Sequence, residues 1–202
     1  MDDTDAAAGM RIVPANEASW DDLRTIFGTR GEAARCQCQR YKLGWTARHE
    51  MARDELRFRL HDQTDCGHPE SENTSGIVAY VDGQPAGWCA IEPRSNYPFL
   101  TRTVWGGRQE DPNDESVWSV TCFVVRVGFR RRGVTYELAK AAVDFARARG
   151  ARALEAYPMI TTPDQEITWG ELHVGALKVF AAAGFREILH PSKRRYIVRI
   201  DF

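Results

Sequence analysis

The chain has 202 residues, of which 43% are hydrophobic and 27% charged, and its 27 basic and 28 acidic side chains leave a net charge of −1. That length is enough for one well-buried domain, and the composition is that of an ordinary globular protein rather than a disordered one. So small a net charge gives no general field for a polyanion, and no apolar run approaches the roughly 20 residues of a membrane span, so neither nucleic acid nor membrane is expected as a partner.

Residues 1–9 are acidic and alanine-rich and read as a flexible N-terminus before a single domain over residues 10–202. They lack the basic start and hydrophobic stretch of a secretory signal, so a cytoplasmic location is expected. Residues 11–14 read as a short strand, followed by a helix that begins at Asn16 as N-cap and carries Trp20, Leu23, Ile26 and Phe27 on one side. Residues 28–45 read as irregular, residues 47–60 as one exposed amphipathic helix with Met51, Leu56 and Leu60, and residues 64–75 as a polar linker.

Ile77–Val81 and residues 86–91 are apolar and flank Asp82-Gly83, a turn pair that predicts a hairpin. Residues 93–113 hold prolines, glycines and the aromatics Tyr97, Phe99 and Trp105, the pattern of an irregular loop that covers a substrate. Val117–Val125 is the strongest strand, and Val134, Leu138, Ala141, Ala142 and Phe145 then recur at helical spacing as far as Gly150. Residues 153–157 and 195–200 read as further strands, with a short helix over residues 175–183 that Gly184 stops. The strands over residues 121–125 and 154–157 are expected to be parallel neighbours joined by a right-handed crossover through the helix from Val134.

The five cysteines, Cys36, Cys38, Cys66, Cys89 and Cys122, are odd in number and scattered, which argues for reduced thiols rather than a disulfide framework. Cys36 and Cys38 form a C-x-C pair with no matching second pair, and His61, Cys66 and His68 do not complete one, so no metal site is expected.

Chemistry concentrates in Gly128-Phe129-Arg130-Arg131-Arg132-Gly133-Val134-Thr135, between the strongest strand and the strongest helix. A helix N-terminus presents unpaired N–H groups and the positive end of a dipole, and a glycine lets a phosphate approach the backbone. The turn is suited to a pyrophosphate, with the arginines adding attraction. A bare run of three arginines is by itself more often a solvated basic turn, but the apolar strand before it and the glycine opening the helix favour the ligand.

Arg130-Arg131-Arg132-Gly133-Val134-Thr135 resembles the R/Q-x-x-G-x-[G/A] motif of the GNAT superfamily of acyltransferases, with Thr135 in place of the last small residue. His173-Val174-Gly175-Ala176-Leu177-Lys178-Val179-Phe180-Ala181-Ala182-Ala183-Gly184-Phe185 resembles that family's N-x-x-A-x-x-x-Y-x-x-x-G-F helix. Cys36-Gln37-Cys38-Gln39-Arg40-Tyr41 and Gly87-Trp88-Cys89 resemble a bacterial subgroup of acetyltransferases. The likeness spans most of residues 11–200 and is thinnest between Cys36 and Leu60.

The resemblance implies an α/β (α+β) fold with a mixed, largely antiparallel central sheet and helices on both faces. It implies acetyl-CoA as cosubstrate and direct transfer of acetyl to a primary amine. Arg130, Arg131, Arg132, Gly133, Val134 and Thr135 would then bind the cofactor, and Phe123 and Val125 would act through their main chain, an N–H there stabilising the oxyanion. His173 stands where the family often has an asparagine beside the pantetheine. Phe180 stands where many members have the tyrosine that protonates the departing thiolate; it has no proton to give and is equally readable as a core residue.

A lysine-like amine has a pKa of about 10.4 and must lose a proton to attack. Glu92, Glu155 and His173 are the candidate acceptors, set against plain readings as surface charges or a structural hydrogen bond. Tyr157 follows Glu155 by two and shares its strand face, which makes it the candidate donor to the thiolate, whose pKa is about 8.5. Tyr136 reads as packing.

Glu110, Asp111, Asp114, Glu115, Asp164, Glu166 and Glu171 would favour a cationic acceptor if they face inward. The partner implied is a small-molecule or peptide amine, and a homodimer is an allowed assembly. Two other readings stay open: a catalytically weak coenzyme A-binding sensor or scaffold, and a nucleic-acid binder using Arg130 to Arg132 with Lys193, Arg194 and Arg195, against which the near-neutral charge counts.

Overall fold

The computed structural model describes residues 9–100, 108–161 and 167–202. Seven strands, β1 (Met10–Pro14), β2 (Ile77–Val81), β3 (Gln84–Pro93), β4 (Val117–Val125), β5 (Ala153–Ala156), β6 (Arg186–Ser192) and β7 (Arg195–Asp201), form one sheet in the order β1-β2-β3-β4-β5-β7-β6. Every pairing is antiparallel except β4 with β5, which run parallel. The helices are α1 (Trp20–Phe27), α2 (Gly31–Cys36), α3 (Trp45–Glu50), α4 (Arg53–Thr64), α5 (Val134–Ala148), α6 (Trp169–Leu172) and α7 (Leu177–Ala182). Among the described residues no helix is long and apolar enough to cross a membrane.

Alternation along each strand divides the core between two faces. Ile77, Ala79 and Val81 pack with Leu138, Ala142 and Phe145 of α5, while Val78 and Tyr80 pack with Leu23, Ile26 and Phe27 of α1. Helices therefore cover both sides of the sheet, and α5 joins the parallel pair β4 and β5 as expected. Close packing of α5 depends on Gly87 in β3: a Cβ there would stand 2.7 Å from Val134 Cγ1 and 3.2 Å from Leu138 Cδ1.

Two irregularities in β4 shape the site. Ala90 pairs with Cys122 and Ile91 with Val120, so Thr121 is skipped and the side-chain alternation flips. Trp118 and Val120, and after the bulge Phe123, consequently all join the α5-side core. The pairing with β5 also covers only Val117 to Val120, so beyond the bulge the two parallel strands part.

Several expectations need correction. The first long helix is capped by Ser19 rather than Asn16, through a capping box with Asp22. Asn16 is buried and its amide donates to the Ser71 carbonyl at 2.9 Å, which ties down the polar linker. The stretch read as irregular contains α2, and the single helix expected over residues 47–60 is two, because Met51 and Ala52 are extended. Strand β6 was not anticipated: most of it is exposed, and His190-Pro191 interrupts its pattern at the sheet edge.

Candidate active site

Where β4 leaves β5, the chain turns through residues 126–133 into α5. Arg131 and Gly133 have φ of +61° and +76°, a left-handed pair in which glycine serves the second position. Gly133 is the N-cap of α5 and has no side chain to cap with, and its carbonyl accepts from Tyr136 and Glu137. Among the described residues no backbone carbonyl outside the helix accepts from the amides of Arg131 through Thr135. The space where a Gly133 Cβ would stand holds no atom within 4 Å. Donors without acceptors beside open space are what a phosphate needs, so the residues present fit a pyrophosphate.

A cavity of about 450 Å³ extends from this turn to the start of α7. Phe123, Val125, Arg130, Arg131, Gly133, Val134 and Thr135 all line it, along with Leu172, Gly175 and Ala176. Arg130 turns its Nε onto the Val125 carbonyl at 3.3 Å. Arg132 does not line the cavity; it pairs with Asp82 of the hairpin at 3.2 Å and lies over the Phe129 ring.

His173 and Phe180 are also absent from the cavity wall. Phe180 is fully buried, 5.7 Å from the Phe123 ring and 5.2 Å from Phe185, as the core reading has it. Gly175 crosses above these rings with φ +86°, and a Cβ there would stand 2.9 Å from Phe180. His173 is buried, with Nδ1 2.9 Å from the Gly170 carbonyl and Nε2 3.3 Å from the Tyr41 hydroxyl. Burial, then the charge of Arg40, pushes its pKa down to about 3, so the ring is neutral, donating from Nδ1 and accepting at Nε2. Its own carbonyl accepts from the Phe123 amide at 2.6 Å.

Glu155 and Tyr157 meet as their spacing predicts: the Tyr157 hydroxyl donates to Glu155 Oε2 at 3.0 Å and lies 3.0 Å from Ser119 Oγ. Neither lines the cavity, and both are buried. Glu155 is ringed by Arg94 at 3.3 Å, Arg108 at 3.0 Å and Arg199 at 3.0 Å. Burial would raise its carboxyl, but the hydrogen bonds and charge of Arg108, then Arg94 and Tyr157, outweigh it and hold the pKa below the usual range. An ion-paired carboxylate of that kind is a poor base. Burial and then the Glu155 charge push the Tyr157 hydroxyl well above the ordinary tyrosine value, and its proton is already donated.

Glu92 lies elsewhere, paired with Lys42 and accepting from Asn96 at 2.8 Å. It borders a separate and larger cavity of about 990 Å³ between the polar linker and the end of α5. Of the four catalytic candidates, then, only Glu155 and Tyr157 are brought together.

Three of the acids expected to draw a cationic acceptor are engaged by arginines instead. Glu110 pairs with Arg94, Arg108 and Arg199, Asp114 with Arg152 at 2.6 Å, and Glu171 with Arg194 at 3.0 Å. Asp111 accepts on its main chain from Arg94, and Glu115 is exposed. Trp105, Asp164 and Glu166 lie outside the described residues. All five cysteines are free and buried. Sequence reasoning missed Tyr41, although it named the string that contains it, and missed Arg94, Arg108 and Arg199, whose partners lie far off in the chain.

Comparison with known proteins shows the family. The model of the acetyltransferase (GNAT) family matches residues 38–169, more than half of the chain. No curated protein matches. Among solved structures, a GCN5-related N-acetyltransferase from Kribbella flavida superposes with a TM-score of 0.53 at 17% identity, covering 96% of this chain and 98% of that one. An N-acetyltransferase from Staphylococcus aureus Mu50 gives 0.52 at 14% identity, covering 96% and 99%. The YncA protein of Salmonella typhimurium, solved with its cofactor acetyl-CoA, gives 0.53 at 13% identity, covering 96% and 94%. At these identities the likeness is one of fold.

Proposed function

Because the chain belongs to the acetyltransferase (GNAT) family and is thereby an acyltransferase that draws on acetyl-CoA, we propose that it passes the acetyl group to a primary amine by direct attack on the thioester, with residues 10–202 acting as one catalytic domain. The observation that carries this reading is the left-handed turn at Arg131 to Gly133, whose unaccepted amides open onto the cavity at the parting of β4 and β5.

Acetyl-CoA supplies an acyl group already activated as a thioester. The amides of Arg131 through Thr135 hold its pyrophosphate, Arg130 and Arg131 add charge, and Val134, Phe123 and Val125 wall the apolar part. Phe123, on the parting strand, offers the amide that meets charge developing on the carbonyl oxygen. Proton transfer falls to water in this reading. Glu155 is committed to three arginines, His173 with its pKa pushed down to about 3 is too weak a base to keep the amine proton, and a thiolate of pKa about 8.5 leaves without a strong acid.

A second reading, a coenzyme A-binding sensor, is favoured by one observation: the Phe123 amide is already bonded to His173. A panel of amines incubated with acetyl-CoA and the purified chain separates the two. Amine-dependent thiol release, with products heavier by one acetyl group, supports the enzyme; tight acetyl-CoA binding with no product from any amine supports the sensor.

A further inference from the structure

Arg40 and Arg195 come from separate stretches of chain and flank Tyr41 beside His173. Arg40 follows α2 and donates to the Gly170 carbonyl at 3.2 Å. The next residue, Tyr41, meets His173 through its hydroxyl and packs with Met159, Val174 and Ile197. Arg195 opens β7 and is bridged to Met159, which is bridged in turn to Ala176. Residues 159, 176 and 195 thus lie side by side next to His173. The charges of Arg40 and Arg195 both act on the His173 ring.

Neither arginine has a carboxylate partner among the described residues, whereas the neighbouring Arg194 is paired with Glu171. Arg40 Nε and Arg195 Nη1 are shut off from solvent with no hydrogen-bond partner among the described residues. Half-buried cations with unmet donors are costly unless something supplies the opposite charge, and guanidinium groups match the planar oxygens of carboxylate and phosphate.

We propose that Arg40 and Arg195 form an oxyanion-binding subsite that holds a carboxylate or phosphate of the acyl acceptor, so that the acceptor is an amine which also carries an anionic group. The proposal rests on the acyl-transfer reading for the word acceptor alone. Its position follows from His173, whose ring meets this cluster through Tyr41 while its carbonyl bonds Phe123, the strand position assigned to the thioester. An anion held there brings the rest of the acceptor alongside β4. Of the acids that would favour a cationic acceptor if they faced inward, Glu110, Asp114 and Glu171 are bound to arginines.

Calorimetric titration of the full chain with N-acetylglycine, N-acetylglycinamide and inorganic phosphate tests the subsite without requiring turnover, with acetyl-CoA titrated in parallel. The expected result is binding of at least one anion, carboxylate or phosphate being told apart by which probe binds, with the neutral amide weaker by about tenfold or more. Arg195→Gln and Arg40→Gln should each weaken the anion by about tenfold while leaving acetyl-CoA affinity unchanged. Equal affinity for acid and amide, unaltered anion binding in both variants, or binding of neither anion would overturn the subsite. Acetyl-CoA binding without anion binding removes the subsite alone; anion binding without acetyl-CoA binding removes the acyl-transfer reading and keeps the subsite.

Discussion

The main-chain amide of Phe123 donates a 2.6 Å hydrogen bond to the carbonyl of His173, across the gap that opens when β4 parts from β5 beyond Val120. The amide assigned to the reacting carbonyl is therefore occupied by the chain itself. If the thioester takes that donor, His173 must yield it, and the loop through Gly175 must shift. In amide-resolved NMR the Phe123 signal should move on adding acetyl-CoA, together with those of residues 173–175. An unmoved Phe123 signal at saturating acetyl-CoA would show that its amide plays no part in binding.

Gly87 sets the distance between β3 and α5, since a Cβ would stand 2.7 Å from Val134. Gly87→Ala should lower stability by about 1–3 kcal/mol, the usual penalty of an overpacked contact. Because Val134 also walls the cavity, acetyl-CoA affinity should fall with it. Denaturant unfolding and calorimetry on one preparation check both; unchanged stability would mean that the helix can move aside.

Glu155 should act through stability rather than proton transfer. Its folded pKa lies below the usual glutamate value of 4.5, so its contribution is present above about pH 4.5 and is lost as pH falls through the folded value. Stability of the wild type should decline as the pH drops below that point, and Glu155→Gln should flatten this acid limb. The substitution leaves Arg94, Arg108 and Arg199 short of a buried partner, at a cost of about 3–5 kcal/mol near neutral pH. Urea midpoints measured from pH 3 to 8 decide the matter, and parallel curves for the two proteins would contradict it.

Tyr157→Phe removes a buried hydroxyl that donates to a carboxylate, and should cost about 1.5–3 kcal/mol of stability. Turnover, once an acceptor is known, should change little, because the hydroxyl does not reach the cavity. A large fall in kcat with unchanged acetyl-CoA affinity would restore Tyr157 as the proton donor to the thiolate.

The elements that position the cofactor were legible because local signals agree there. Asp82 and Gly83 both take positive φ, as their turn requires, β4 is one continuous run of strand-forming residues, and α5 carries a helical period. The glycine closing the arginine run needed no tertiary knowledge to be noticed. Other features had no local signature. The skipped Thr121 shows only once β3 is laid beside β4, and the ring of arginines around Glu155 joins residues 44 and 47 positions apart. His173 was chosen for its side chain, yet it reaches β4 through its carbonyl, a contribution that residue identity does not advertise. Edge strand β6, mostly exposed, buries too little to impose a pattern.

If the amides around Gly133 hold acetyl-CoA for transfer of its acetyl group to an amine, thiol release must depend both on the amine and on that glycine. Thiol release from acetyl-CoA, followed for wild type and Gly133→Val with and without an amine panel that includes anionic amines, tests it most directly. Gly133 has φ +76° and open space at its Cβ, so valine there should cost about 1–2 kcal/mol of backbone strain and fill the approach of the phosphate. Wild type should give amine-dependent release, and a variant that still folds should show a rise of about tenfold or more in the acetyl-CoA KM. No amine-dependent release by wild type, or an unchanged KM in Gly133→Val, would contradict that dependence.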